Sequence, residues 1–299
     1  MLKRALFFSN PLVLTLKDNQ LVFCTREDPD EKRKVPIEDI GFVILENQMI
    51  SVTLPLLNAL VENNTAIIIC DQAMMPSALV QPLVGNSIQE ELYKIQVSAS
   101  EPLKKNLWKQ CVEAKIENQA RLLILLGLEG DRLKPFYLNV KSGDSDNREA
   151  VAAKLYWEML FGKEFSRQRE GLPPNNLLNY GYAILRAAVT RSLVGSGLLP
   201  AFGIFHRNRY NPFPLSDDLM EPYRPFVDRS ARELYTNGET MLTKEVKAKL
   251  ISLLFTDCHF KKVCRPLDIG LTITTASLVK CLNGEQKPCP FRFLNRWER

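Results

Sequence analysis

The chain has 299 residues, 45% of them hydrophobic and 24% charged, the balance of a globular protein with room for one large core or two modest ones. Its longest apolar run, around Leu122–Leu128, is far short of the ~18 residues that span a bilayer, and the apolar stretch behind Met1-Leu-Lys-Arg breaks too soon for a signal peptide, so the chain reads as cytoplasmic and without a membrane span. The net charge of +5 is unevenly spread: residues 1–90 hold 7 Lys and Arg against 11 Asp and Glu, and the remainder holds 32 against 23, which points only the larger part toward a polyanion.

The first ~85 residues read as β-rich. Leu12–Lys17 and Gln20–Thr25 are short runs of Leu, Val, Phe and Thr separated by the turn signal Asp18-Asn19. Arg26–Lys34 is charged and polar and reads as a surface loop. Gly41–Leu45 and Thr65–Cys70 are further strands, with a short helix expected over Leu54–Val61 between them. Pro76, Pro82 and Gly85 punctuate a linker.

From Gln89 the period becomes helical. A long helix is expected over Pro102–Leu126, with Ile116, Ala120, Leu123 and Gly127 on one face. Asn147–Phe161 and Asn176–Leu193 follow, the latter ended by Gly195, Gly197 and Pro200. A loop, Gly203–Leu215, leads to a helix starting near Asp217. Helices then cover Thr243–Phe255 and Ile269–Leu282, and a basic tail closes the chain. The fold class expected is α+β, with a β-rich domain at 1–85 and a larger all-helical domain at 86–299.

The seven cysteines (24, 70, 111, 258, 264, 281 and 289) are odd in number and lack C-x-x-C spacing, which favours reduced thiols. Cys258, His259 and Cys264 lack finger or ribbon spacing and read as separate residues. Three other groups stand out by context: Glu149 in the first turn of a helix behind a tight polar turn, His206 in Gly-Ile-Phe-His-Arg-Asn-Arg-Tyr-Asn-Pro, and Glu221 in Asp-Asp-Leu-Met-Glu-Pro-Tyr-Arg-Pro. Two carboxylates and an imidazole with open positions would suit Mg²⁺ or Mn²⁺, the imidazole tilting toward manganese. The same spacing also fits two helix capping boxes, Asp146 with Glu149 and Asp218 with Glu221. Spacing leaves both readings open. In the helix Asn176–Arg186, Asn179 and Tyr180 beside Gly181 leave room for a ligand or for a closely packed helix, with the tyrosine hydroxyls at the surface in the second case.

Taken together, the turn and helix ending in Asn147-Arg-Glu-Ala, the helix Asn179-Tyr-Gly-Tyr-Ala-Ile-Leu and the block from His206 to Asp228 resemble the CRISPR-associated adaptation (spacer acquisition) endonuclease/integrase family, in the form of its type II branch. The resemblance covers nearly the whole chain. It implies a metal held by Glu149, His206 and Glu221, with Asp218, one helical turn before Glu221, as a supporting carboxylate and Asn179 and Tyr180 as further neighbours. It also implies joining of a DNA 3′-hydroxyl to a phosphodiester, which needs no nucleophile on the protein, and none is evident. Homodimerisation through the β domain and a hetero-hexamer with a small second adaptation subunit belong to the same expectation. Phosphate contacts to double-stranded DNA are expected from Arg207, Arg209, Arg224, Arg229 and Arg232, some of which would pair instead with Asp217, Asp228 or Glu233. The alternatives are a branched-DNA repair nuclease, which would cut rather than join, and a noncatalytic DNA-binding scaffold whose carboxylates are only helix caps.

Overall fold

The computed structural model of the protein describes residues 3–168, 171–260 and 263–285; the basic tail and Cys289 lie outside them. The chain divides into two compact units, Met1–Ser87 and Ile88–Arg299.

In the first unit, β1 (Arg4–Phe8), β2 (Val13–Lys17), β3 (Gln20–Cys24), β4 (Arg33–Pro36), β5 (Ile40–Leu45), β6 (Ser51–Val52), α1 (Leu54–Glu62), β7 (Ala66–Cys70) and β8 (Pro76–Val80) follow in chain order. They form two four-stranded sheets, β1-β5-β7-β8 and β4-β3-β2-β6. Asp18 and Asn19 both take positive φ, 51° and 55°, as the two-residue hairpin joining Lys17 to its partner Gln20 requires. Phe8, Leu14, Leu21, Ile40, Val43 and Leu56 are among the residues that fuse both sheets and α1 into one core. Two expectations are corrected. The end of the polar loop, from Arg33, is strand β4, which pairs with β3. The expected linker opens with strand β8, paired antiparallel to β7; an edge strand needs only one partner and tolerates Pro76.

The second unit is built from α2 (Gln89–Ser98), α3 (Glu101–Leu125), α4 (Lys134–Tyr137), α5 (Arg148–Phe161), α6 (Asn175–Gly195), α7 (Pro214–Met220), α8 (Arg224–Thr236), α9 (Lys244–Ser252), β9 (Asp257–Phe260), β10 (Val263–Pro266) and α10 (Leu267–Leu282). It is not all-helical, because β9 and β10 pair as an antiparallel hairpin. Cys258 is buried there while Cys264 is exposed, and the side chain of His259 lies outside the description. Among the described cysteines, Cys24, Cys70, Cys111, Cys258 and Cys264 are free thiols, in line with the expectation, and Cys281 departs from it as disulfide-bonded; bonding depends on Cα separation, which sequence spacing does not report. Among the described residues no helix is long and apolar enough to cross a membrane.

Helix α6 is buried along most of its length and packs against α8, α10, α7 and α9. It ends where Gly197 takes φ +75° and the Leu198 N–H returns to the Leu193 carbonyl at 2.9 Å, a left-handed stop that glycine makes without strain. Gly181 answers the question its neighbourhood posed. A Cβ there would stand 2.5 Å from Val227 Cγ1, so its bareness serves the close approach of α8. The tyrosine hydroxyls are not at the surface. Tyr182 (α6) and Tyr156 (α5, 2.7 Å) both donate to the buried carboxylate of Asp228 (α8), tying three helices together.

Two outcomes follow. Gly181→Ala forces a methyl against the stiff Val227 side chain and costs about 1–3 kcal/mol of stability, read by urea unfolding; unchanged stability would contradict the packing. Burial pushes the Asp228 carboxyl up to about 6 against the hydrogen bonds of the two tyrosines. The folded chain therefore holds a proton that the unfolded chain releases near the ordinary carboxylate value. Stability contributed by this group falls as pH rises from about 4 to about 6. Unfolding free energies across that window should show this component in the wild type and lack it in Asp228→Asn.

Candidate active site

Glu149 is placed by the turn before α5. Gly143, Asp144 and Asn147 all take left-handed backbone, with φ of 69°, 50° and 54°. This compresses the chain so that the Asp144 carboxylate accepts the N–H groups of Arg148 (2.8 Å) and Glu149 (3.1 Å). Asp144, not Asp146, therefore caps the helix; Asp146 turns instead to Arg148 Nε at 2.8 Å. The second expected capping box is absent as well, because Asp218 lies inside α7 and Glu221 opens the 3-10 turn Glu221–Tyr223 behind it. Freed of capping, both glutamate side chains are available elsewhere.

They meet at Lys115, on α3. Its Nζ stands 2.6 Å from Glu149 Oε1 and 2.5 Å from Glu221 Oε2. The other Glu221 oxygen takes Arg224 Nε at 2.8 Å. Burial alone would push the Glu221 carboxyl up, but Arg224 and Lys115 more than offset it and hold the group down at about 2. Burial likewise disfavours the Lys115 ammonium, yet Glu221 and Glu149 keep its pKa above the ordinary lysine value. Asn118, one turn along α3, donates to the Pro222 carbonyl at 2.8 Å and fixes the backbone beside Glu221.

His206 is positioned by Asp218, whose side chain is fully buried. Consecutive N–H groups of Ile204 (2.5 Å), Phe205 (3.0 Å) and His206 (3.1 Å) close on that carboxylate. A Cβ on Gly203 would stand 2.9 Å from Asp218 Oδ2 and 2.7 Å from the His206 carbonyl, so only glycine lets the chain wrap this closely. His206 Nδ1 lies 2.6 Å from Asp218 Oδ1. A neutral ring donating there presents its Nε2 lone pair for ligation, the arrangement in which a carboxylate orients a metal-binding histidine. The same bond raises the His206 pKa, against burial, which lowers it. Trp108, on α3, stacks on Phe205 with centroids 4.3 Å apart and meets the His206 ring edge-on at 5.5 Å.

The centre thus joins Glu149, Glu221 and Lys115 directly, with His206, held by Asp218, within electrostatic reach of Glu221. Among the described residues, no three His, Cys, Asp or Glu side chains stand close enough to hold a metal ion as they are. The fit to a hard divalent ion rests instead on the donor chemistry and on the ammonium already drawn between the two carboxylates. Sequence reasoning missed Lys115 and Asn118. Their signal was a lysine and an asparagine on the face of α3 that also carries Trp108 and Cys111, all four buried.

The five arginines do not share one role. Arg207 is exposed, pairs with Glu101 at 2.7 Å and, with Arg209, Lys104 and His206, lines a hollow of about 480 Å³. Arg224 is committed to Glu221 and lies over the Tyr182 ring at 4.5 Å. Arg229 pairs with Glu233 at 2.8 Å in a separate hollow of about 390 Å³, and Arg232 is half-buried. Asp217 is paired by Arg186, at 2.6 and 2.9 Å. The described contacts of Asn179 and Tyr180 are with Arg167 (2.7 Å) and, over the ring, Lys247 (5.6 Å).

Comparison with known proteins agrees with the architecture. The profile of the family "CRISPR associated protein Cas1" matches residues 6–266. A CRISPR-associated endonuclease Cas1 of Neisseria meningitidis serogroup C is 42% identical over 255 residues, covering 84% of this chain and 83% of that protein. The fold is shared with a casposase bound to integration product (TM-score 0.77, 18% identity, 100% and 96% of the two chains). It is shared also with a chain of a Cas6-RT-Cas1–Cas2 complex (TM-score 0.74, 20% identity, 99% of this chain and 36% of that one). With a family profile spanning most of its length, the chain belongs to the Cas1 family of CRISPR-associated proteins.

Proposed function

We propose that the protein is a metal-dependent DNA endonuclease and integrase that joins the 3′-hydroxyl of a captured DNA fragment to a phosphodiester of a CRISPR repeat. The observation that carries this is the convergence of Glu149, on α5, and Glu221, in the 3-10 turn before α8, on one ammonium, with a histidine preset by Asp218 within electrostatic reach of Glu221. Two oxygen donors and one imidazole nitrogen suit Mg²⁺ or Mn²⁺. The ion, when bound, would orient the scissile phosphate, lower the hydroxyl's pKa and offset charge gathering on the phosphate oxygens. The chain's own residues do the rest. Asp218 fixes the His206 ring, Arg224 and Asn118 fix Glu221, and Asp144 fixes the start of the helix that carries Glu149. Attack comes from the DNA hydroxyl, so the buried Cys111 thiol, which burial keeps protonated, need not act.

Lys104, Arg207 and Arg209, around the hollow that His206 enters, would supply phosphate contacts of little sequence preference. The fold shared with a chain of a Cas6-RT-Cas1–Cas2 complex supports a small second adaptation subunit as partner; in this reading the β-rich unit would pair two copies of the chain, and two such dimers would flank a dimer of that subunit in the cytoplasm. The scaffold alternative loses its main support, since neither Glu149 nor Glu221 serves as a helix cap.

The test is strand joining on a branched DNA substrate with Mn²⁺, Mg²⁺ or chelator. Joining should require the divalent ion and fall by about 100-fold or more in Glu149→Ala and in His206→Ala, while binding to DNA persists. Unchanged joining by a folded variant would refute the assignment, and cutting without joining would favour a repair nuclease.

A further inference from the structure

An ammonium group between two prospective metal ligands is unusual, and its geometry is restrictive. Lys115 Nζ is hydrogen-bonded to Glu149 Oε1 and in contact with Glu221 Oε2 at 2.6 and 2.5 Å, and the lysine is buried. Burying an ammonium or a pair of carboxylates alone is strongly unfavourable, so each side of this bridge depends on the other. A divalent ion bonded to those same oxygens at about 2.1 Å would lie within about 4.7 Å of Nζ, the sum of the two separations. Positive charges that close, in a water-poor site, repel strongly. The ion and the ammonium therefore compete for one pair of oxygens.

We infer that Lys115 is an internal counter-cation: it holds the Glu149–Glu221 pair together in the metal-free protein, and the divalent ion must displace it. The inference rests on the metal reading above and adds a residue that tunes it. No backbone element needs to move: the lysine withdraws and the ligand side chains close the remaining distance to the ion. The lysine's four-carbon stem can swing without shifting α3, while Arg224 Nε keeps Glu221 at 2.8 Å, Asn118 keeps the Pro222 carbonyl at 2.8 Å, and Asp218 keeps His206 at 2.6 Å. The elements that carry the ligands stay in place whether or not the ion is present, and metal affinity is set below what the bare carboxylates would give.

The test is Mn²⁺ binding by electron paramagnetic resonance on the full chain, comparing wild type, Lys115→Met and Glu149→Ala. Methionine keeps the length of the stem and removes the charge. Lys115→Met should bind Mn²⁺ roughly tenfold more tightly or better, melt earlier than wild type without metal, and gain more thermal stability from Mn²⁺. A lysine that merely braces the ligands would give weaker binding when removed. Weaker or unchanged affinity overturns the inference.

A measurement on the wild type does not depend on the variant folding. With ¹⁵N-labelled lysine, a buried ammonium held by two carboxylates should give its own slowly exchanging ¹H–¹⁵N signal without metal and lose it on Mg²⁺ saturation. A signal unchanged at saturation overturns the displacement. Mn²⁺ binding to none of the proteins, or binding that Glu149→Ala leaves untouched, overturns the metal reading and this inference together. Binding that depends on Glu149 but is not tightened in Lys115→Met overturns only the role of Lys115.

Discussion

A carboxylate taken fully out of water must recover its lost hydrogen bonds from the protein, and at Asp218 that requirement shapes the site. Its two oxygens are met by three consecutive backbone N–H groups and one imidazole nitrogen. Satisfying all four forces residues 203–206 into a tight wrap, demands glycine at position 203 and fixes the His206 ring. The histidine's orientation is thus a by-product of burying a charge. An unpaired carboxylate at the same depth would cost far more than the wrap does.

The same logic extends through the helical unit as a chain of compensated charges. Lys115 meets Glu149 and Glu221, Arg224 meets Glu221 and lies over Tyr182, and Tyr182 meets Asp228 together with Tyr156. Each buried acid has a cation or a set of hydroxyl or N–H donors, and each partner comes from a different element. Such a network specifies one arrangement of α3, α5, α6 and α8, since a slip of any helix would strand a charge. Hydrophobic packing supplies the bulk of the stability; the polar network selects the register in which the ligands face one another.

Much of this was legible in the sequence. The apolar periodicity marks α3, α5, α6 and α10 to within two residues at each end, because amphipathic or buried helices carry their pattern over many turns. Strands β2, β3, β5 and β7 were visible for the same reason. Strand β4 was hidden because Arg33 and Lys34 are solvent-facing edge residues, β8 because it begins at a proline, and the β9–β10 hairpin because eight residues amid helical segments set up no period of their own. At the site, Glu149, His206 and Glu221 were marked by motif. Lys115 was not, because a charged residue inside an apolar stripe acquires meaning only once its partners, 34 residues away in one case, are folded onto it. The cap at Asp144 was missed for a local reason: three left-handed residues shorten the turn and bring an earlier aspartate to the helix start.

The central claim is that Glu149, His206 and Glu221 share one divalent ion. Anomalous diffraction from crystals grown with Mn²⁺ addresses it directly. The account predicts a single manganese peak about 2.0–2.3 Å from an oxygen of each glutamate and from His206 Nε2. A saturated crystal with no peak there, or with manganese bound away from these three side chains, would contradict it.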